Sequence, residues 1–214
     1  MQKIKLNFKA IIFDFDGVIM ESVIAKHRAF LQLYSNLSKS TKNKIENFHI
    51  NNHGLTRNAK FLHVNRKILK QKKITPQKIN QLSALYSKLI EKNCKNCKLV
   101  NGVRNFIKIK SKSSNLFIVS NIPDKEVDKI TRELKIKKYF KKIYGSRYSK
   151  KESIKKLLKR WKLKKSDVIM IGDTIEDFKS SKLNKINFLG RISIKKINPF
   201  NKSTNIIDDF RSGN

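Results

Sequence analysis

The chain has 214 residues, 39% of them hydrophobic, enough to bury a full core domain plus a modest insertion. Its formal charge of +34 would ordinarily point to nucleic acid or an anionic membrane, yet of 50 basic residues only nine are Arg and the other 41 are Lys scattered through every segment. Without an Arg cluster for base and phosphate recognition, no specific nucleic-acid partner is expected. The first apolar run is only four residues before Asp14 intervenes, too short for a secretory leader or a membrane span. Cys94 and Cys97 stand without the two further ligands a structural zinc needs, so reduced thiols and a cytoplasmic, globular protein are expected.

Taken in order, Ala10-Ile11-Ile12-Phe13 reads as a buried parallel strand, followed at once by Asp14 and Asp16, with Gly17 to turn the backbone beside them. Ser22–Leu37 repeats apolar residues at helical spacing, with Ser22 as its N-cap, and the helical pattern continues through Thr56 to Leu69 and Pro76 to Ile90. Strands and helices alternate after Asn101-Gly102: a helix at Val103–Lys110, a strand at Leu116–Val119, a helix from Pro123 to Leu134, a short strand at Ile143-Tyr144 and a helix at Glu152–Trp161. A strand at Val168–Ile171 and a helix at Thr174–Lys182 complete the series, and the tail beyond Arg191 is weakly patterned. The alternation predicts an α/β core with a Rossmann-like parallel sheet, residues 1–21 and 101–214, interrupted after its first strand by an all-helical insertion, residues 22–100.

The strand ends carry the chemistry. Asp14 and Asp16 stand two apart at the carboxyl end of a strand, where open α/β sheets gather ligands. Ser120 and Asn121 end the second strand just before Pro123 opens a helix, and a hydroxyl, an amide and free N–H groups suit phosphoryl oxygens, although both residues are also good helix caps. Ser149 and Glu152 have capping-box spacing around Lys150 and Lys151, either of which could face the site. Asp173 and Asp177, four apart at the start of a helix, form a second acidic strand end. Clustered carboxylates repel unless a hard cation neutralises them, and Mg2+ is the fitting ion. Asp14 is then the expected nucleophile, Asp16 the general acid and base, and Lys150 the charge that offsets nucleophile and phosphate. His27, His49, His53 and His63 have no acid or cysteine at ligand spacing and are expected to pack or lie at the surface.

With those residues in place, the chain resembles the haloacid dehalogenase superfamily of hydrolases, in the branch with an inserted helical cap of the C1 type that includes phosphoglycolate phosphatase and β-phosphoglucomutase. DFDGV (Asp14–Val18), VSN (Val119–Asn121), SKKE (Ser149–Glu152) and IGDTIED (Ile171–Asp177) resemble its four motifs in order. The resemblance implies Mg2+ bound by the Asp14 carboxylate, the Asp16 backbone carbonyl and Asp173, with Asp177 supporting or joining through water. HGLTRNAKF (His53–Phe61) resembles a cap segment whose Arg meets substrate, which makes Arg57, with Lys60 as a companion, the expected substrate-binding residues of the insertion. The implied activity is hydrolysis of a small phosphorylated metabolite, a sugar phosphate or a phosphoglycolate-like acid. The alternatives are a phosphomutase of the β-phosphoglucomutase type, disfavoured because Lys26 stands where such mutases carry a histidine, and, from another class, a non-catalytic basic module for nucleic acid or membrane.

Overall fold

Four consecutive apolar residues leave no polar face, and β1 (Ala10–Phe13) is accordingly a central strand with all four side chains buried. It pairs in parallel with β2 (Asn115–Val119) on one side and with β4 (Val168–Gly172) on the other; Ile12 lies opposite both Phe117 and Met170. β3 (Phe140–Tyr144), β5 (Asn187–Arg191) and the two-residue β6 (Ile206–Ile207) extend it into a six-stranded sheet of order β3-β2-β1-β4-β5-β6, every pair parallel. This computed structural model describes residues 7–192 and 198–211. The chain forms two compact units, one of residues 1–21 and 98–214, the other of Ser22–Cys97.

The second unit is wholly helical: α1 (Val23–Gln32), α2 (Lys39–Asn51), α3 (Arg57–His63) and α4 (Pro76–Cys94). Thr56 and Thr75 cap α3 and α4 by accepting from the N–H three residues on, and Pro76 takes the first helical position, where its missing N–H costs nothing. Phe30, Phe61 and Tyr86 meet at the centre of this unit, Phe30 and Phe61 stacked and both edge-on to Tyr86. Two expectations need adjustment. The long helix expected over Ser22–Leu37 stops at Gln32, and Ser22 makes no side-chain capping bond. The run expected from Thr56 to Leu69 changes after His63 into a π-helical stretch, Val64–Ile68.

In the first unit, α5 (Val103–Lys110) and α6 (Asp124–Glu133) bury Val103, Phe106, Ile107 and Val127 against the face bearing Ile11 and Phe13. α7 (Lys150–Arg160), packed beside α8 (Ile175–Asn184), sets Ile154 and Leu157 against Ala10 and Ile12 on the other. Period-two alternation along β1 thus feeds both halves of the core. Sheet and helices realise the expected α/β Rossmann-like architecture. No described helix is long and apolar enough to cross a membrane.

Candidate active site

The sheet positions the first acid directly. Asp14 follows β1 and still donates its N–H to Ile171 O at 2.9 Å, so its backbone is fixed by the neighbouring strand. Its Oδ1 accepts from Phe15 N at 2.7 Å. The chain then turns sharply: Phe15 O accepts from Ile19 N at 2.8 Å and Met20 N at 3.1 Å, and Gly17 has φ of 73°, a left-handed conformation that favours glycine. Asp16 rides on this turn, half-buried.

The other charged groups arrive on two helix starts. Ser149 caps α7 in a reciprocal box with Glu152, which places Lys150 at the first helical position; Lys150 is 2% exposed, whereas Lys151 faces solvent. Thr174 caps α8 in the same way with Asp177, whose Oδ2 accepts from Thr174 N at 3.1 Å and from Thr174 Oγ1 at 2.6 Å. Lys150 Nζ lies 2.9 Å from Asp14 Oδ2 and donates to Asp177 Oδ1 at 2.6 Å, so it bridges the two strand ends. Gly172 permits this closeness, because a Cβ added there would lie 2.6 Å from Asp177 Cγ.

Among the described residues, carboxylate oxygens of Asp14, Asp173 and Asp177 lie within 4.8 Å of one another. Three such carboxylates, two of them buried and Asp173 half-buried, against one ammonium leave a formal deficit of two positive charges, which a divalent cation would fill. The donors are all hard oxygens, the set that suits Mg2+ rather than a softer metal. Electrostatics record the same tension. Burial pushes the Asp14 carboxyl well above the usual carboxylate range and Asp177 and Asp173 add to it, while Lys150 pulls against them. Burial would lower Lys150, but Asp14 and Asp177 more than reverse it and hold the ammonium charged. The Asp16 carboxylate stands outside the trio.

Ser120 is buried at the end of β2; its N–H donates to Tyr144 O at 3.0 Å and its Oγ accepts from Ile122 N at 3.3 Å. Asn121 Nδ2 donates to Glu176 Oε2 at 2.8 Å, joining the ends of β2 and β4. Arg57 and Lys60 belong to the helical unit and are buried there. Arg57 Nη1 donates to Ser87 Oγ at 2.7 Å with its guanidinium 5.2 Å from the centre of the Tyr86 ring, and Lys60 Nζ donates to His53 O at 3.2 Å. His27, His49 and His53 form a chain of ring contacts beside Phe30, and His63 stacks on Phe48. Three contributors escaped sequence reasoning. Glu176 and Asp124 each sit in the first turn of a helix, a position that reads equally well as favourable dipole placement. Asp124 accepts from Gly145 N and Arg147 N, both at 3.2 Å, and so holds the segment leading to Lys150. The third, Arg191, gave no local signal.

The family model of haloacid dehalogenase-like hydrolases matches residues 11–190. No curated protein matches the sequence. Among solved structures the chain is similar to a protein of Haemophilus somnus described as a predicted phosphoglycolate phosphatase, 20% identical over 95% of each chain with a TM-score of 0.73. It is also similar to the magnesium-bound YfnB of Bacillus subtilis, 20% identical over 95% of each chain with a TM-score of 0.69. A third is the haloacid dehalogenase-like family protein SP0104 of Streptococcus pneumoniae, 21% identical over 86% of this chain and 85% of the other, with a TM-score of 0.63. At these identities the likeness is one of fold.

Proposed function

Because the chain belongs to the haloacid dehalogenase-like hydrolase family, we propose that it is a Mg2+-dependent phosphomonoesterase acting on a small phosphorylated metabolite. The observation that carries this reading is the arrangement of buried Asp14, Lys150 and Asp177 with half-buried Asp173 around a deficit of two positive charges. Asp14 is the nucleophile: its carboxylate oxygen forms a bond to phosphorus as the bond to the substrate's leaving oxygen breaks, giving an aspartyl-phosphate. Asp16 gives its proton to that leaving oxygen, then takes one from the water that attacks phosphorus and releases Asp14. Mg2+ would be held by Asp14, the Asp16 main chain and Asp173 with Asp177 in support, and would supply positive charge to the phosphoryl oxygens. Lys150 restrains Asp14 and offsets its charge. Ser120 and Asn121 receive the remaining phosphoryl oxygens.

Substrate selection falls to the helical unit, residues 22–100 on this reading, with Arg57 and Lys60 as its binding residues. A small sugar phosphate or hydroxy-acid phosphate is the substrate class, and a cytoplasmic location accords with Cys94 and Cys97 standing outside any disulfide. The test is a screen of phosphorylated metabolites with purified protein and Mg2+, run beside Asp14→Asn. Wild type should release inorganic phosphate and the variant should retain less than a few per cent of that rate. Conversion of a sugar phosphate to its isomer without phosphate release would make the protein a mutase, and full activity in Asp14→Asn would remove the covalent route.

A further inference from the structure

We propose that Arg191 is a positioning residue for Asp16, clamping the acid-bearing turn after β1 to the far side of the sheet; the proposal rests on the phosphomonoesterase reading. Arg191 ends β5, and β4 lies between β5 and β1 in the sheet. Two strand spacings of about 4.8 Å must be crossed to reach the β1 turn, which demands a long side chain. The guanidinium arrives there buried, 5% exposed, and its donors go to three separate places. Nη1 donates to Gly17 O at 2.7 Å and to Glu21 Oε2 at 3.0 Å, Nη2 donates to Glu21 Oε1, and Nε donates to Asp208 O at 3.0 Å.

The acceptors show what the residue does. Burying a guanidinium is costly unless its donors are met, and an apolar side chain would fill the same space at less cost if packing were the only requirement. Two of the three acceptor residues, Gly17 and Glu21, bracket the turn, and Gly17 is the neighbour of Asp16. The turn's bonds to Phe15 O and Met20 O close it on itself, and its later end is held to the segment after the insertion, where Val100 N donates to Ile19 O at 3.0 Å and Lys98 O accepts from Glu21 N at 2.9 Å. Arg191 ties the Gly17 end, next to Asp16, to β5. Asp14 is held independently, by its bond to Ile171 O and by Lys150, so loosening the clamp should move Asp16 and spare Asp14. Lysine cannot replace it, because a single ammonium cannot hold the carboxylate bidentately while reaching Gly17 O and Asp208 O.

The two acids make different demands on the leaving group, and this separates a positioning role from a merely structural one. For kcat/KM, which covers the steps through formation of the aspartyl-phosphate, an alkyl phosphate such as β-glycerophosphate needs the Asp16 proton and p-nitrophenyl phosphate does not. Arg191→Lys should lower kcat/KM for the alkyl ester at least about ten-fold, the scale at which a misplaced general acid is felt, and for the aryl ester less than about three-fold. In metal-free protein, amide exchange at Ile19 and Met20 should quicken while that of Ile11–Phe13 holds, an effect independent of turnover. Glu21→Gln, which leaves the Gly17 and Asp208 bonds in place, should shift both readouts in the same direction by less, and it serves if Arg191→Lys does not fold. Equal losses on the two esters, or no loss on either, would overturn the role of Arg191 while the phosphomonoesterase reading stands. A wild-type protein inert toward both esters would remove that reading and the proposal together.

Discussion

Replacing Lys150 by Met keeps the length of the side chain and deletes its charge, and the geometry sets the size of the effect. Nζ sits 2.9 Å from Asp14 Oδ2 and 2.6 Å from Asp177 Oδ1, with the lysine side chain 2% exposed. At an effective dielectric near 20, each contact contributes about 6 kcal/mol of gross attraction. Most of that is offset by dehydrating three charges. What remains on deletion is the penalty of leaving Asp14 and Asp177 buried against each other and Asp173, for which about 3–5 kcal/mol is the measured scale. For a chain of this size each kcal/mol shifts Tm by about 2–4 °C, so metal-free Lys150→Met should melt roughly 6–20 °C below wild type at neutral pH. The deficit should shrink in acid. Asp14 already has its carboxyl raised in the fold, chiefly by burial, and losing the ammonium raises it further. The folded variant therefore binds a proton more readily than the unfolded chain, and its penalty grows as pH rises through that raised value. Saturating Mg2+ should also narrow the gap, since the carboxylates that lose the ammonium bind a cation more tightly and so gain more stability from it than wild type does. Calorimetry of wild type and variant, at pH 7.5 and 5 and with EDTA or Mg2+, reads all three effects. A neutral-pH loss below about 1 kcal/mol, unaffected by pH or metal, would show that Lys150 is not the electrostatic centre of the cluster.

Gly172→Ala should push Asp177 off its bonds to Lys150 and Thr174, because the new Cβ would lie 2.6 Å from Asp177 Cγ; isothermal titration should show Mg2+ affinity at least about ten-fold weaker, and unchanged affinity would mean the strand gives way instead. In the helical unit, His49 is held neutral: burial pulls its pKa down to about 2, and Lys60, His53 and His27 add to the effect. The unfolded chain binds that proton near the ordinary value of 6.5, so this stability is complete above pH 6.5 and is lost as pH falls, about 2 kcal/mol by pH 5 from this residue alone. Urea titrations of wild type and His49→Gln at pH 7.5 and 5 measure it, and equal pH slopes would refute it. Arg57→Ala should lower kcat/KM for the natural substrate far more than for p-nitrophenyl phosphate; equal losses would confine Arg57 to its contacts with Ser87 and Tyr86.

What the sequence reveals depends on whether a contact leaves a local trace. Asp14, Asp173 and Asp177 are legible because each follows an apolar strand closely, and the strand fixes its position before any tertiary contact is known. Lys150 and Lys151 are indistinguishable by type; the Ser149 capping box settles which one turns inward, through the helical phase it imposes. β5 and β6 escape notice because NFLGR and a lone Ile-Ile pair are short and mixed. The Arg191 clamp joins residues about 170 positions apart, and no periodicity records such a meeting. β3 is visible only at its inner end, since Lys141 and Lys142 occupy the middle of an edge strand, where charge discourages pairing with another chain.

At the neck of the insertion, Glu21 N donates to Lys98 O at 2.9 Å and Met20 pairs antiparallel with Leu99, so the chain leaves the sheet unit and returns at adjacent points. The whole of Ser22–Cys97 is thus spliced into what would otherwise be a hairpin. Loop-closure entropy rises by only about 0.6 kcal/mol for each doubling of length, so a helical module of this size can be lodged there at small expense to the pairing of β1 with β2. Such a neck is a natural exchange point: a different module, or a two-residue turn, could be inserted between Glu21 and Lys98 while every strand keeps its register.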